Sequence, residues 1–221
     1  MSTDVVLKIL TLGESSVGKT SIILRYTENT FSEQFLTTIG IDFKQKIIDF
    51  HNKKIKVLLV DTSGQVRFRN IAANYFKSAD GILFVYDVTK KDTLTKFEYW
   101  FSQIQEQSNV NKNSIVIFGN KNDCEEQREV SQEEARTIGN KYDMVSMEGS
   151  AQSGEGIQEA IEKIIENILS TRSFLDEESI NTTVKLKTDK TFQKMAEKMK
   201  EEEYKKKTGC CWLIPIITHS L

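Results

Sequence analysis

The chain has 221 residues, 38% hydrophobic and 28% charged, with a formal net charge of −2. This supports one globular domain plus a tail, and the lack of a basic excess sets nucleic acid aside as a partner. Its three cysteines, Cys124 alone and Cys210 beside Cys211, make neither a disulfide framework nor, with the two histidines, a metal-ligand spacing, which fits a reducing cytosolic compartment.

From the start, Met1 to Asp4 show no basic stretch followed by an apolar run, and position 2 is Ser2 rather than the glycine that myristoylation needs, so this end reads as cytosolic and unlipidated. Apolar, β-rich runs follow at Val5 to Leu12, Ile41 to Phe50, Ile55 to Val60, Gly81 to Val88, Ser114 to Gly119 and Met144 to Met147, and read as strands. Helical patterns lie at Lys19 to Tyr26, Phe68 to Lys77, Leu94 to Gln107, Gln132 to Asn140 and Ile157 to Leu169. Alternating strands and helices predict an α/β fold with a mostly parallel six-stranded sheet and helices on both faces. The polar His51-Asn52-Lys53-Lys54 between the second and third runs predicts one antiparallel hairpin at the sheet edge. From Arg172 apolar density drops and Lys and Glu alternate through Lys207, with only Phe192, Met195 and Met199 spaced like a helix face; this reads as a solvated, disordered tail. No apolar run approaches the roughly 20 residues that span a bilayer.

Three motifs carry chemistry, each at the C-terminal end of a predicted strand. The first strand runs into Gly13-Glu14-Ser15-Ser16-Val17-Gly18-Lys19-Thr20, followed by Ser21 and a helix. This is a phosphate-binding loop in its proper setting: its backbone N–H groups curl inward, Lys19 meets β and γ phosphates, and the Thr20 hydroxyl can take Mg²⁺. The third strand ends in Asp61-Thr62-Ser63-Gly64-Gln65, placing Asp61 where it can hold the metal's water shell and the Gly64 N–H where it suits a γ-phosphate. Asn120-Lys121-Asn122-Asp123 and Ser150-Ala151 follow the fifth and sixth strands. A carboxylate at Asp123 accepts two hydrogen bonds from guanine N1–H and N2–H₂, donors adenine lacks, and such sites discriminate by about 10⁴ to 10⁵. The expected ligand is therefore GTP or GDP with Mg²⁺ rather than ATP.

The order of these motifs with Thr37-Thr38-Ile39-Gly40 and Glu148-Gly149-Ser150-Ala151 resembles the Ras superfamily from residue 5 to about 170, a P-loop NTPase G domain. Within it, Ile39-Gly40-Ile41-Asp42-Phe43, Arg67-Phe68-Arg69-Asn70-Ile71 and Gly81 to Thr89, with a long tail bearing a double cysteine, resemble the Rab branch. The resemblance implies a monomeric GTPase switching vesicle traffic, domain limits of 1–171 for the G domain, 172–209 for a hypervariable tail and 210–221 for the cysteine pair with an apolar extension. It implies catalysis by Gln65, which orients water, and Lys19; Mg²⁺ held by Thr20, Thr38 and, through water, Asp61; and packing of Phe31 against the base. Its implied partners are an exchange factor, a GTPase-activating protein, a GDP-dissociation inhibitor and effectors, on the cytoplasmic face of endomembranes.

The chain departs from the Rab pattern at Ser63 (usually Ala), Val66 (Glu), Val60 (Trp) and Gln152 (the Lys that lies over the base). Val60 alters the aromatic surface triad that Phe43 and Phe76 are expected to complete, and Val66 removes an acidic group implicated in exchange. Lys205 to Lys207 precede Cys210 and Cys211 as in prenylated tails, but Trp212 to Leu221 follow. Three readings stand: the extension is trimmed, it is an artefact of the coding sequence, or the chain is not prenylated; geranylgeranylation once those residues are absent is favoured. Rival functions are a small-molecule P-loop kinase, which lacks a lid-like insertion here, a non-hydrolysing GTP-binding scaffold, and a Ras-like signalling GTPase.

Overall fold

A computed structural model describes residues 4–33 and 37–178. Of the predicted tail, residues 179–221, with Phe192, Met195, Met199, Cys210, Cys211 and the extension to Leu221, lie outside the described residues, as does Ser2.

Six strands form one sheet in the order β2-β3-β1-β4-β5-β6: β1 Val5–Leu12, β2 Ile41–Phe50, β3 Lys53–Thr62, β4 Gly81–Asp87, β5 Ile115–Asn120 and β6 Val145–Glu148. All pairings are parallel except β2 with β3, where Phe50 faces Lys53 across a two-residue turn. His51 and Asn52 there have φ of 47° and 63°, the left-handed pair whose twist matches a hairpin. The edge strand β2 alternates, with Gln45, Ile47 and Asp49 exposed, whereas the central β4 and β5 are buried throughout. That difference follows from position: an edge hairpin has a wet side, and an inner parallel strand is covered on both faces.

Alternate residues of each strand serve opposite faces. On one, Leu7, Ile9, Val57, Leu83, Val85, Val116 and Phe118 pack with Ile22, Ile23 and Tyr26 of α1 (Lys19–Glu28) and with Ile157, Ile161, Ile164, Ile165 and Ile168 of α6 (Ile157–Glu178). Each such side chain contributes about 1.5–3 kcal/mol by leaving water. On the other, Phe84 meets Phe97 edge-on, with ring centroids 5.1 Å apart, beneath α4 (Phe97–Gln107). Ser131 caps α5 (Gln132–Tyr142) by accepting from the Glu134 N–H while Glu134 reaches back to the Ser131 N–H.

Three predicted helices differ in outline. Phe68 to Lys77 is not one helix: a 3₁₀ turn at Val66–Phe68 leads into the short α2 (Arg69–Ala73) and a second 3₁₀ turn at Phe76–Ser78. The break lets Phe76 enter the core, 1% exposed, while Tyr75 turns to Phe43 with ring centroids 5.7 Å apart. Phe43 therefore meets Tyr75, while Phe76 is buried, as is Val60, which pairs with Phe43 across the hairpin. Leu94 to Gln107 is divided into α3 (Lys91–Thr95) and α4 because Lys96, with ψ of −10°, tightens the backbone between them. The last helix runs on past Leu169 to Glu178, crossing the 171/172 limit.

Candidate functional site

The C-terminal ends of β1, β3 and β5 and the loop after β6 converge on a cleft of about 320 Å³. Ser15, Ser16, Gly18, Lys19, Thr20, Ser21, Phe31, Thr38, Ser63, Gly64, Asn120, Lys121, Asp123, Ser150, Ala151 and Gln152 all line it, bringing three sequence-distant motifs to one place. Gly13, Glu14 and Val17 do not line it. An alanine Cβ at Gly13 would lie 2.1 Å from the Val85 carbonyl oxygen, so only glycine lets the loop press on β4. Positive φ at Gly13, Ser16 and Gly18 curls the loop into α1, whose first-turn N–H groups face the cleft as an anion-binding end.

The Lys19 side chain folds back over this loop and donates to the carbonyls of Gly13 (2.9 Å) and Glu14 (2.7 Å). Burial lowers its ammonium to about 8, against the pull of Asp61 and Glu14 that favours the charge. A cation this desolvated is stabilised by an anion entering the cleft.

Beside it the Thr20 hydroxyl donates to Asp61 Oδ2 at 2.6 Å and lies 2.8 Å from the Thr38 hydroxyl, itself 3.4 Å from the same carboxylate oxygen. Asp61 is 2% exposed, and its Oδ1 is buried without a hydrogen-bond partner. Burial raises its pKa to about 6, only partly offset by the Thr20 hydrogen bond and Lys19. Hard oxygen donors around an unsatisfied buried carboxylate fit a small divalent cation. No cluster of three or more His, Cys, Asp or Glu occurs among the described residues, so such a cation draws its remaining ligands from hydroxyls, water and ligand phosphates.

At the other end Asn120 ties two motifs together: Nδ2 donates to the Val17 carbonyl (2.8 Å), and Oδ1 accepts from the Ala151 N–H (3.0 Å). The Ser150 hydroxyl accepts from the N–H groups of Gln152 and Ser153, fixing the turn. The Asp123 carboxylate stays exposed at the cleft wall, and Phe31, 36% exposed, stands at its mouth. Gln65 is not among the lining residues: its Oε1 accepts from Arg67 Nε at 2.7 Å, and its N–H reaches Ser63 Oγ at 3.4 Å.

Supporting residues invisible to motif spacing also emerge. Arg25 of α1 donates to the carbonyls of Ala151 (2.9 Å) and Gln152 (2.7 Å), clamping the loop after β6. The fully buried Asp87, at the end of β4, holds the Lys121 ammonium and accepts from Thr89. Its position at the same strand edge as Asp61 was the available signal. Arg25 offers none, since the carbonyls it clamps lie 126 and 127 residues away.

The family model described as Ras family matches residues 8–170. Ras-related protein Rab-18-B of Danio rerio is 40% identical over 180 residues, covering 81% of this chain and 87% of that protein. GTP-binding protein ypt2 of Schizosaccharomyces pombe is 37% identical over 195 residues (87% and 97%), and human Ras-related protein Rab-27B is 36% identical over 176 (75% and 81%).

Proposed function

This chain belongs to the Ras family, as a Rab-like small GTPase that binds GTP, GDP and Mg²⁺ and hydrolyses GTP to GDP and phosphate, and from that premise we propose how its residues perform the reaction. The observation that carries the proposal is the single cleft in which the phosphate loop, Thr38, Gly64, Asp123 and Ala151 meet.

Asp123 accepts from guanine N1–H and N2–H₂, Phe31 covers the base, and Gln152 takes the place of a longer cationic side chain above it. Ser15 to Thr20 enclose the β-phosphate with backbone N–H groups, and Lys19 neutralises β and γ oxygens. Thr20, Thr38 and, through water, Asp61 would hold Mg²⁺, which would supply charge neutralisation at the phosphate oxygens. Gln65 leaves Arg67 to orient the attacking water, while the Gly64 N–H meets the γ-phosphate. No arginine lines the cleft among the described residues, so intrinsic turnover is slow and an activating protein supplies the missing charge, an effect of up to ~10⁵ in related switches.

The γ-phosphate orders Thr38 and the segment from Gln65 to Tyr75, and its loss releases them. This GTP/GDP switch works in vesicle traffic, the general role of Rab proteins, with an exchange factor, an activating protein, a GDP-dissociation inhibitor and effectors as partner classes. Effectors read a surface on which the Phe43 and Tyr75 rings meet at a tilt and Ile39 and Val66 are exposed, at 51% and 71%. Placement on the cytoplasmic face of endomembranes is part of the same proposal. No helix among the described residues is long and apolar enough to cross a membrane. Attachment is assigned to geranylgeranyl groups on Cys210 and Cys211 beside Lys205 to Lys207, since two chains near a basic cluster give stable anchoring.

Denaturing the purified protein and identifying the released nucleotide tests the cleft: GDP or GTP supports it, and ATP contradicts it. Intact mass of membrane-recovered protein tests the anchor. An added pair of lipid masses on a chain ending at the cysteines supports it, and an unmodified mass including Leu221 rejects it.

A further inference from the structure

Glu14 is the second residue of the phosphate loop, yet its carboxylate does not line the cleft. Oε1 accepts from Arg69 Nη2 at 2.7 Å and from the Trp100 indole N–H at 3.2 Å, and Oε2 accepts from the same Nη2 at 3.0 Å. The Arg69 guanidinium lies over the Tyr99 ring at 4.7 Å and near the Trp100 ring at 5.3 Å. Both charged side chains are mostly sheltered, 20% and 17% exposed, so the pair is screened far less than a surface ion pair.

The same residue has a second hold on the chain. An added Cβ at Gly64 would come within 2.3 Å of the Glu14 carbonyl carbon, so Gly64 lies directly on the Glu14 backbone. Residues 64 and 69 are thus both fixed to one phosphate-loop residue. Gln65 to Phe68 form the arch between them, Val66 is exposed, and among the described residues Gln65 hydrogen-bonds with Ser63, Arg67 and Phe68, all local. A short loop with two fixed ends samples few conformations, and freeing one end multiplies them.

We propose that the Glu14–Arg69 ion pair positions Gln65 for hydrolysis by pinning the far end of this arch, making Glu14 a positioning residue for the reaction. The inference rests on the reading of Gln65 as the group that orients water. The carboxylate does not line the cleft; it sets how far the Gln65 carboxamide can stray from the γ-phosphate.

The test is single-turnover hydrolysis by full-length protein preloaded with GTP, with GDP dissociation measured on the same preparations. Glu14→Ala and Arg69→Ala should each slow hydrolysis about tenfold, the scale of modest lost orientation. The double variant should be no slower than either single one, and Glu14→Asp should restore most of the rate. In a Gln65→Ala background, Glu14→Ala should add nothing, and GDP dissociation should stay within about threefold. A wild-type rate in Glu14→Ala, losses that multiply in the double variant, further slowing on Gln65→Ala, or GDP release accelerated as much as hydrolysis is slowed would each overturn the proposal. If Gln65→Ala itself hydrolyses at the wild-type rate, the water-orienting assignment falls and takes this inference with it. If Gln65→Ala is slow while Glu14→Ala is not, only the ion pair's role falls.

Discussion

Replacing Gly64 by alanine sets a Cβ 2.3 Å from the Glu14 carbonyl carbon and the Ser15 nitrogen, and 2.4 Å from the Glu14 oxygen. Non-bonded heavy atoms settle near 3.5 Å, so a gap of about 1 Å must open. The phosphate loop is poorly able to provide it, because the Glu14 carbonyl accepts from Lys19 at 2.7 Å and its carboxylate holds Arg69. The segment that starts at Gly64 moves instead, carrying Gln65 with it. A 1 Å misplacement costs on the order of 100-fold in rate, about 2.7 kcal/mol in barrier. The far end of the cleft, Asn120, Asp123 and Ser150, is untouched, so GDP affinity should change little. Single-turnover hydrolysis by Gly64→Ala, with GDP dissociation as the control, is the assay. Hydrolysis within about threefold of wild type would refute the claim that Gln65 works from a segment seated on the phosphate loop.

Thr20→Asn removes the hydroxyl that meets Asp61 at 2.6 Å, and should weaken Mg²⁺-dependent GTP binding more than GDP binding; equal losses in a competition assay would count against Thr20 as a metal ligand. Asp123→Asn presents a donor where the carboxylate accepted, so preference should move from guanine to xanthine nucleotides, and unaltered GDP affinity would sink the base-reading assignment. Ser63 lines the cleft and accepts from the Gln65 N–H at 3.4 Å; Ser63→Ala should therefore shift hydrolysis or nucleotide release slightly, and indistinguishable rates would make the hydroxyl silent.

The sheet was legible because burial writes itself into strand composition: β4 and β5 are apolar runs, and β2 alternates. The cleft was legible because each motif follows a strand and parallel strands end on one edge. Phe68 to Lys77 misled, since its apolar residues sit at helical spacing while Tyr75 and Phe76 go to different surroundings, a choice made by Phe43 and the core rather than by local propensity. Contacts between distant side chains left no periodic trace. The Arg25 clamp, the Asp87 partner of Lys121 and the Glu14–Arg69–Trp100 cluster all join segments whose proximity exists only after folding.

The central claim, that this cleft hydrolyses GTP by means of Gln65, is tested most directly by loading purified protein with radiolabelled GTP and Mg²⁺ and following phosphate release in wild type and Gln65→Leu, alone and with an activating protein. The account predicts slow intrinsic release by wild type, strong stimulation by the activator, and a stimulated rate orders of magnitude lower in Gln65→Leu with nucleotide still bound. Equal stimulated rates in the two proteins, or no phosphate release by wild type, would contradict it.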